Sequence, residues 1–329
     1  MKRKLVLITS ALMTIALLAG CNQKSHTHEW GEATYTWNTE YTECTAKAIC
    51  QADSSHVLEE TKKAVAGGIE GTDGTVQYGN LAKFDSEVFN DQVYALYTLT
   101  PREQGTEYSV KSIGSSVVKG AITIPSSFND IPVTLTDAQG FSNHNGITSV
   151  KIPSSIITIG MNAFLFCSNL TELTFESASK VKTICSTAFA ETAIKSLTIP
   201  ASVETIEEYA FGECNHSIKS LTFEAGSKLV TIGDSAFSMT RCETLVLPDG
   251  LKTIGEDAFS DNAIKSLTLP ASIESIGSGA FQGLIADEIN YKGTKNQWSE
   301  ISYDSTSFDD KELTVHCSDG DVYLSTQQY

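Results

Sequence analysis

The chain has 329 residues, 41% of them hydrophobic, and a formal net charge of -17 at pH 7. That length allows a sizeable core or two, and that charge argues against nucleic acid, whose affinity comes from Lys and Arg neutralising phosphates. It equally argues against a surface grip on anionic lipid.

Lys2, Arg3 and Lys4 make a positive start, and Leu5 to Leu18 is an apolar stretch of fourteen residues interrupted only by Thr and Ser. It is too short to span a bilayer, which takes about 20 apolar residues, and it fits the apolar region of a secretory leader. The stretch ends Leu18-Ala19-Gly20-Cys21, which resembles the lipobox of bacterial lipoproteins. The resemblance implies a leader over residues 1–20, cleavage before Cys21, and lipidation of Cys21 as the chain's attachment to the membrane. Loss of the leader removes three bases and no acids, taking the net charge to -20.

Residues 21–60 carry the lipidated Cys and a small aromatic- and Cys-containing module, "HTHEWGEATYTWNTEYTECTAKAICQADSSHVLEE" from His26 to Glu60. It is similar to a small β-rich module of exported bacterial proteins. In an exported chain a Cys44–Cys50 disulfide is the simplest reading. Zinc held by His28, Cys44, Cys50 and His56 is the sharper alternative on ligand chemistry, although the spacing matches no standard finger. Free thiols are the third. Trp30, Trp37, Tyr35 and Tyr41 read as the module's core or as an aromatic platform for sugars. Residues 61–90 follow, with "AVAGGIEGTDG" (Ala64 to Gly74) read as a flexible linker: it has four Gly and no phosphate-loop order.

Self-similarity then dominates. An Ala-Phe pair recurs at Ala163-Phe164, Ala188-Phe189, Ala210-Phe211, Ala236-Phe237, Ala258-Phe259 and Ala280-Phe281, in steps of 25, 22, 26, 22 and 22 residues. The longer steps fall where "FESASK" (Phe175 to Lys180) or "FEAGSK" (Phe223 to Lys228) replaces Ile-Pro, so the extra residues belong to one loop. A degenerate unit, Ala121 to Phe141, precedes them. Each unit has a period-2 strand such as "IKSLTIP", a second short apolar strand, and a short stretch such as "EEYAF", read as a helical turn that points Ala and Phe inward. No unit of this size buries its apolar side alone, so the units must stack into a solenoid.

"L-T-x-I-P-x-S-V-x-x-I-G-x-x-A-F-x-x-C" resembles the BspA-like (Treponema pallidum-type) leucine-rich repeat of bacterial surface proteins. The resemblance implies a mainly β, right-handed leucine-rich repeat solenoid with short helical turns over residues 91–284, opened by a strand pair near Tyr94 to Ile113. A cap over residues 285–329 follows. It also implies a cell-surface location outside the cytoplasm and a role in adhesion or binding to extracellular or host proteins by a chain that is itself a monomer. A structural envelope scaffold, or glycan binding through the aromatic module, are the rival readings. In this repeat class the outward residues of the first strand form a binding face, which here is Ser149, Lys151, Glu172, Thr174, Ser196, Thr198, Ser220, Thr222, Thr244, Val246, Ser266 and Thr268. The loops Glu176 to Lys180 and Glu224 to Lys228 are equal candidates. Cys167, Cys185, Cys214, Cys242 and Cys317 read as buried inert thiols. The sequence has no Gly-x-Ser-x-Gly and no HExxH, and it implies no enzyme and no cofactor.

Overall fold

The structure is a computed structural model that describes residues 14–15, 28–37, 43–70, 72–84, 86, 88, 92–114, 118–214, 216–309 and 311–325. Most of residues 1–20, Cys21 and Tyr41 lie outside them, as does the side chain of Trp37. The chain divides into two compact units, Met1–Leu99 and Thr100–Tyr329.

In the first unit, strands Thr34–Trp37, Glu43–Ile49 and Val57–Lys63 form an antiparallel sheet. Its alternation puts Cys44, Ala46 and Ala48 on one face, where they are buried with Ala82 and Phe84. The Gly-rich segment is not a linker. Val65–Glu70 pairs residue for residue with residues 76–81 of the strand Val76–Lys83. The Asp73 carboxylate closes the turn between them by accepting the Thr75 backbone N–H and hydroxyl at 3.1 and 2.7 Å. Asp-Gly is a strong turn former, and here it overrides the flexibility of the glycines.

The second unit is the solenoid, mainly β with very little helix. Glu107–Ser112 pairs in parallel with Ile131–Thr136. From there the two-residue strands at 158–159, 183–184, 205–206, 231–232, 253–254 and 275–276 pair in one unbroken parallel ladder. Each sets a Thr or Ser outward and an Ile inward. The inward Ile159, Ile184, Ile206, Ile232, Ile254 and Ile276 are at most 3% exposed.

Along the axis the phenylalanines stack. Phe141, Phe164, Phe189, Phe211, Phe237, Phe259, Phe281 and Phe308 lie in sequence at centroid distances of 4.9 to 5.6 Å, each pair within 10° of parallel. The spacing is close to the separation of neighbouring strands, about 4.8 Å. Each aromatic contact adds about 0.5–1.5 kcal/mol beyond the area it buries.

The expected helical turn at the Ala-Phe pair is a run of tight turns instead. The N–H groups of Ala163, Leu165 and Cys167 bond three residues back, to Gly160, Asn162 and Phe164. Those of Asn162, Phe164 and Phe166 reach forward to the carbonyls of Ser186, Ala188 and Ala190 in the next coil, at 3.0, 2.7 and 3.1 Å. An α-helix would keep all of these bonds within the segment and leave nothing to join the coils. The alternation requires a left-handed residue every fourth position, as at Asn162 and Phe166 or Tyr209 and Glu213 (φ 54 to 60°).

The coils also approach closely where "TIG" recurs. A Cβ at Gly255 or Gly277 would lie 2.5 Å from a backbone nitrogen of the preceding coil. At the far end the stack closes on an aromatic plug. Phe308, in the 3-10 turn Ser305–Phe308, rests on Phe281. Buried Trp298 donates from Nε1 to the Tyr303 hydroxyl at 3.1 Å.

Replacing Phe211 by Ala removes two stacking contacts and opens a cavity, so unfolding free energy is expected to fall by about 3–5 kcal/mol. Chemical denaturation of the two proteins measures it, and a loss below about 1 kcal/mol would contradict a shared core.

Candidate functional site

The first strands place the candidate binding face. The inward residues Val150, Leu173, Leu197, Leu221, Leu245 and Leu267 are 0 to 6% exposed. All the predicted face residues point the other way: Ser149 and Thr268 are half-buried and the remainder exposed. Their neighbours line up across strands, Ser149 opposite Glu172, Thr198 opposite Thr222, and Thr244 opposite Ser266.

The face is not one ladder, however. Its strands pair in three groups: 120–123 with 147–152 and 172–175; 196–199 with 220–223; and 244–246 with 266–269, 288–291, 313–317 and 320–324. Each break follows one of the long units. The continuous ladder is the second-strand one, with outward Thr158, Thr183, Thr205, Thr231, Thr253 and Ser275, a column the sequence reading passed over.

Several polar groups of the face are engaged within it. Lys151 Nζ lies 2.9 Å from Glu176, whose carboxyl it holds below its usual range. The Thr198 and Thr222 hydroxyls are 2.9 Å apart. The two loops are fastened alike. Glu176 accepts from the Ser154 N–H at 3.2 Å and Glu224 from the Ala201 N–H at 2.9 Å. Ser179 and Ser227 each accept the N–H two residues on, at 3.3 Å. Both loops are therefore set ridges beside the face.

Acids line the turn edge, whereas the strand-start edge is mixed, with Glu243 and Asp287 at the positions equivalent to its lysines. The turn edge from Glu191 to Asp261 carries Glu191, Glu207, Glu208, Glu213, Asp234, Glu256, Asp257 and Asp261, while Lys195, Lys219 and Lys265 stand exposed at the start of the first strands. Lys265 pairs with Glu243 at 2.8 Å. Where the face ends, His316 lies between Asp321 (2.9 Å from Nδ1) and Glu288 (3.3 Å from Nε2).

A second column lies inside, at the position where Cys167 and Cys214 were expected to be buried. The residue three after each ring is His144, Cys167, Thr192, Cys214, Thr240, Asn262 or Leu284, all buried. Its polar members satisfy the ring residues' carbonyls. Thr192 and Thr240 donate to Phe189 and Phe237 at 2.9 and 3.0 Å. Cys167 Sγ donates to Phe141 at 3.1 Å, and Asn262 Nδ2 to Phe237 at 2.7 Å. Asn262 Oδ1 also accepts the Cys242 N–H at 3.1 Å. The thiols here are inert: burial pushes Cys167 up to about 12 and Cys214 up to about 11. Cys185 and Cys317 depart from expectation in being only half-buried.

In the first unit the proposed cysteine chemistry fails on distance. Cys44 and Cys50 sit six residues apart along one extended strand. At about 3.4 Å per residue that is roughly 20 Å, against a Cα limit of about 7 Å for a disulfide. The same separation prevents both from binding one zinc ion, so the set His28, Cys44, Cys50 and His56 is not a site. Among the described residues no three His, Cys, Asp or Glu side chains converge as metal ligands. Trp30 and Tyr35, both partly buried, pack against the core cluster.

A β-solenoid with a stacked aromatic axis and an exposed strand face defines a repeat scaffold. The model of the BspA type leucine rich repeat region matches in six copies over residues 103–218 and 182–313, and the chain belongs to that family. Among solved structures it is similar to the pneumococcal vaccine antigen PcpA, at 19% identity and a TM-score of 0.45. That match covers 70% of this chain and 65% of the other, so the chain spans just under two thirds of that protein's length. It is also similar to the T. pallidum leucine rich repeat protein TpLRR, at 21% identity and TM-score 0.43, covering 60% and 83%. A leucine-rich repeat protein from Bacteroides capillosus matches at 26% identity and TM-score 0.35, covering 40% and 97%. No curated protein matches.

Two outcomes follow. Asn262→Ala strands the Cys242 N–H in the core, while the Phe237 carbonyl keeps the Thr240 hydroxyl as its donor, and at about 1–3 kcal/mol for one unsatisfied buried group denaturation is expected to show a loss of that size.

His316 is held above its ordinary value, first by its hydrogen bond to Asp321 and then by that to Glu288. Its stabilisation is therefore complete below the unfolded value of about 6.5 and disappears as pH rises through the raised folded value. Thermal melts of wild type and His316→Gln should differ most near pH 6 and converge at alkaline pH; a pH-independent difference contradicts the assignment.

Proposed function

We propose that the chain is a cell-surface lipoprotein that presents its first-strand face for protein binding or adhesion, with extracellular or host proteins as partners. The supporting observation is the exposed row of first-strand residues, fixed in position by the stacked core beneath. Side chains vary along the row, as at Lys151, Glu172, Thr198 and Val246. The flanking Lys195 and Lys219 favour approach from this side over the acidic turn edge.

The face lacks the Trp, Tyr and Arg anchors that dominate most binding energies, so affinity per contact is low and display of many copies compensates. Cys21 supplies the display through its lipid. Among the described residues no helix is long and apolar enough to cross a membrane.

The test uses cells expressing the full chain and the released chain immobilised against matrix and cell-surface proteins. Thr198→Arg with Thr222→Arg is expected to weaken retention at least tenfold, about 1.4 kcal/mol, with an unchanged unfolding midpoint. Cys21→Ala is expected to shed the protein into the medium. Absence of retention by any partner would leave an envelope scaffold with no ligand.

A further inference from the structure

The opening end of the solenoid holds a buried imidazole bonded to a serine hydroxyl of the preceding strand. His144 is the first member of the buried column that follows the rings, 6% exposed and edge-on to Phe141. Its Nδ1 lies 2.9 Å from the Ser142 carbonyl oxygen. A carbonyl only accepts, so in the neutral imidazole Nδ1 carries the proton and Nε2 is a bare acceptor. Nε2 lies 2.6 Å from Oγ of Ser112, the last residue of Glu107–Ser112, and the hydroxyl donates to it. The Ser112 backbone N–H is fixed on the Gly140 carbonyl at 2.9 Å. The imidazole is shielded, whereas Ser112 is only half-buried.

Elsewhere in the column a thiol, hydroxyl or amide is enough to tie coils together, as Cys167, Thr192 and Asn262 do. Within that column the first coil alone offers an imidazole, oriented by a carbonyl, to a serine hydroxyl. A hydroxyl within reach of a base, with a third group fixing the base, is the geometric signature of an activated nucleophile.

We propose that Ser112 is an acyl-accepting nucleophile with His144 as its general base, acting on small activated carboxylic esters. Ser112 Oγ bonds to the ester carbonyl carbon as its proton passes to Nε2. The tetrahedral adduct collapses with cleavage of the bond to the leaving oxygen, which takes the proton from Nε2. Water then attacks the acyl-serine, again giving its proton to Nε2, and the regenerated Ser112 recovers it. The Gly114 N–H, 2.9 Å from Oγ in the resting state, stands beside the adduct and can donate to its oxyanion. Set at a half-buried position on the coil rather than within a deep cleft, the pair suits a small acyl group over a large substrate.

The test treats the full chain with a fluorophosphonate and with p-nitrophenyl acetate and maps adducts by peptide mass. One adduct on Ser112 is expected, absent in Ser112→Ala. Its rate of formation should fall about 10²–10⁴-fold in His144→Asn, a change the column already accommodates at Asn262. If His144→Asn does not fold, Ser112→Cys serves: beside the same imidazole the introduced thiol should react with iodoacetamide faster than the half-buried Cys317 of the same chain. No adduct at Ser112, an adduct formed equally fast without His144, or an introduced thiol no faster than Cys317 overturns the proposal.

Discussion

One spacing governs the solenoid: the distance between successive phenylalanine rings. At 4.9 to 5.6 Å and near-parallel, the rings repeat at the interval that backbone hydrogen bonding sets between strands. Every other column must then repeat at that interval too. Ala before the ring, Gly at the close approach and Ile on the inner ladder each fill a site whose dimensions the neighbouring coils impose. The tight turns follow from the same demand, because alternate N–H groups must point along the axis rather than into a helix. Left-handed positions such as Tyr209 carry a conformational cost of order 1 kcal/mol, offset by the bond each N–H makes to the next coil.

Much of this is written plainly in the sequence. The Ala-Phe pairs mark the register, and strict alternation in "KSLTIP" separates Leu197 and Ile199 from Ser196 and Thr198. The strand face could be named residue by residue for that reason. Other features escaped because their signal is not hydropathy. The buried column was legible at Cys167 and Cys214 but not at Thr192, Asn262 and His144, which share with the cysteines only an ability to donate or accept a hydrogen bond. Phe308 continues the ring stack from a 3-10 turn with no preceding Ala. "EEYAF" is rich in helix formers, and tertiary hydrogen bonding overrode their preference. In the first unit, glycines suggested flexibility where Asp73 and Thr75 build a hairpin turn. Cys44 and Cys50 looked like partners until the strand between them was seen to be fully extended.

The acidic balance of the chain also has a structural distribution. Carboxylates line the turn edge, where side chains project away from the ladders. One of these acids is perturbed: Glu191 is raised by its partial burial and by the neighbouring Glu213. Lysines instead border the first-strand face and pair across coils, as Lys151 does with Glu176. A net charge of -17 therefore does not describe the surface a partner would meet at the strand face.

The long units show how such a fold separates constancy from variation. An insertion of a few residues at Phe175 to Lys180 or Phe223 to Lys228 interrupts the first-strand pairing but leaves the second-strand ladder and the ring stack intact. It can do so because each coil is held at several independent points around its circumference. Glu176 and Glu224 then fasten the inserted loop to the coil before it by the same bond in both cases. In a linear array energy is shared only between neighbours, so such a change is absorbed locally. A surface can therefore diversify over this core without altering it.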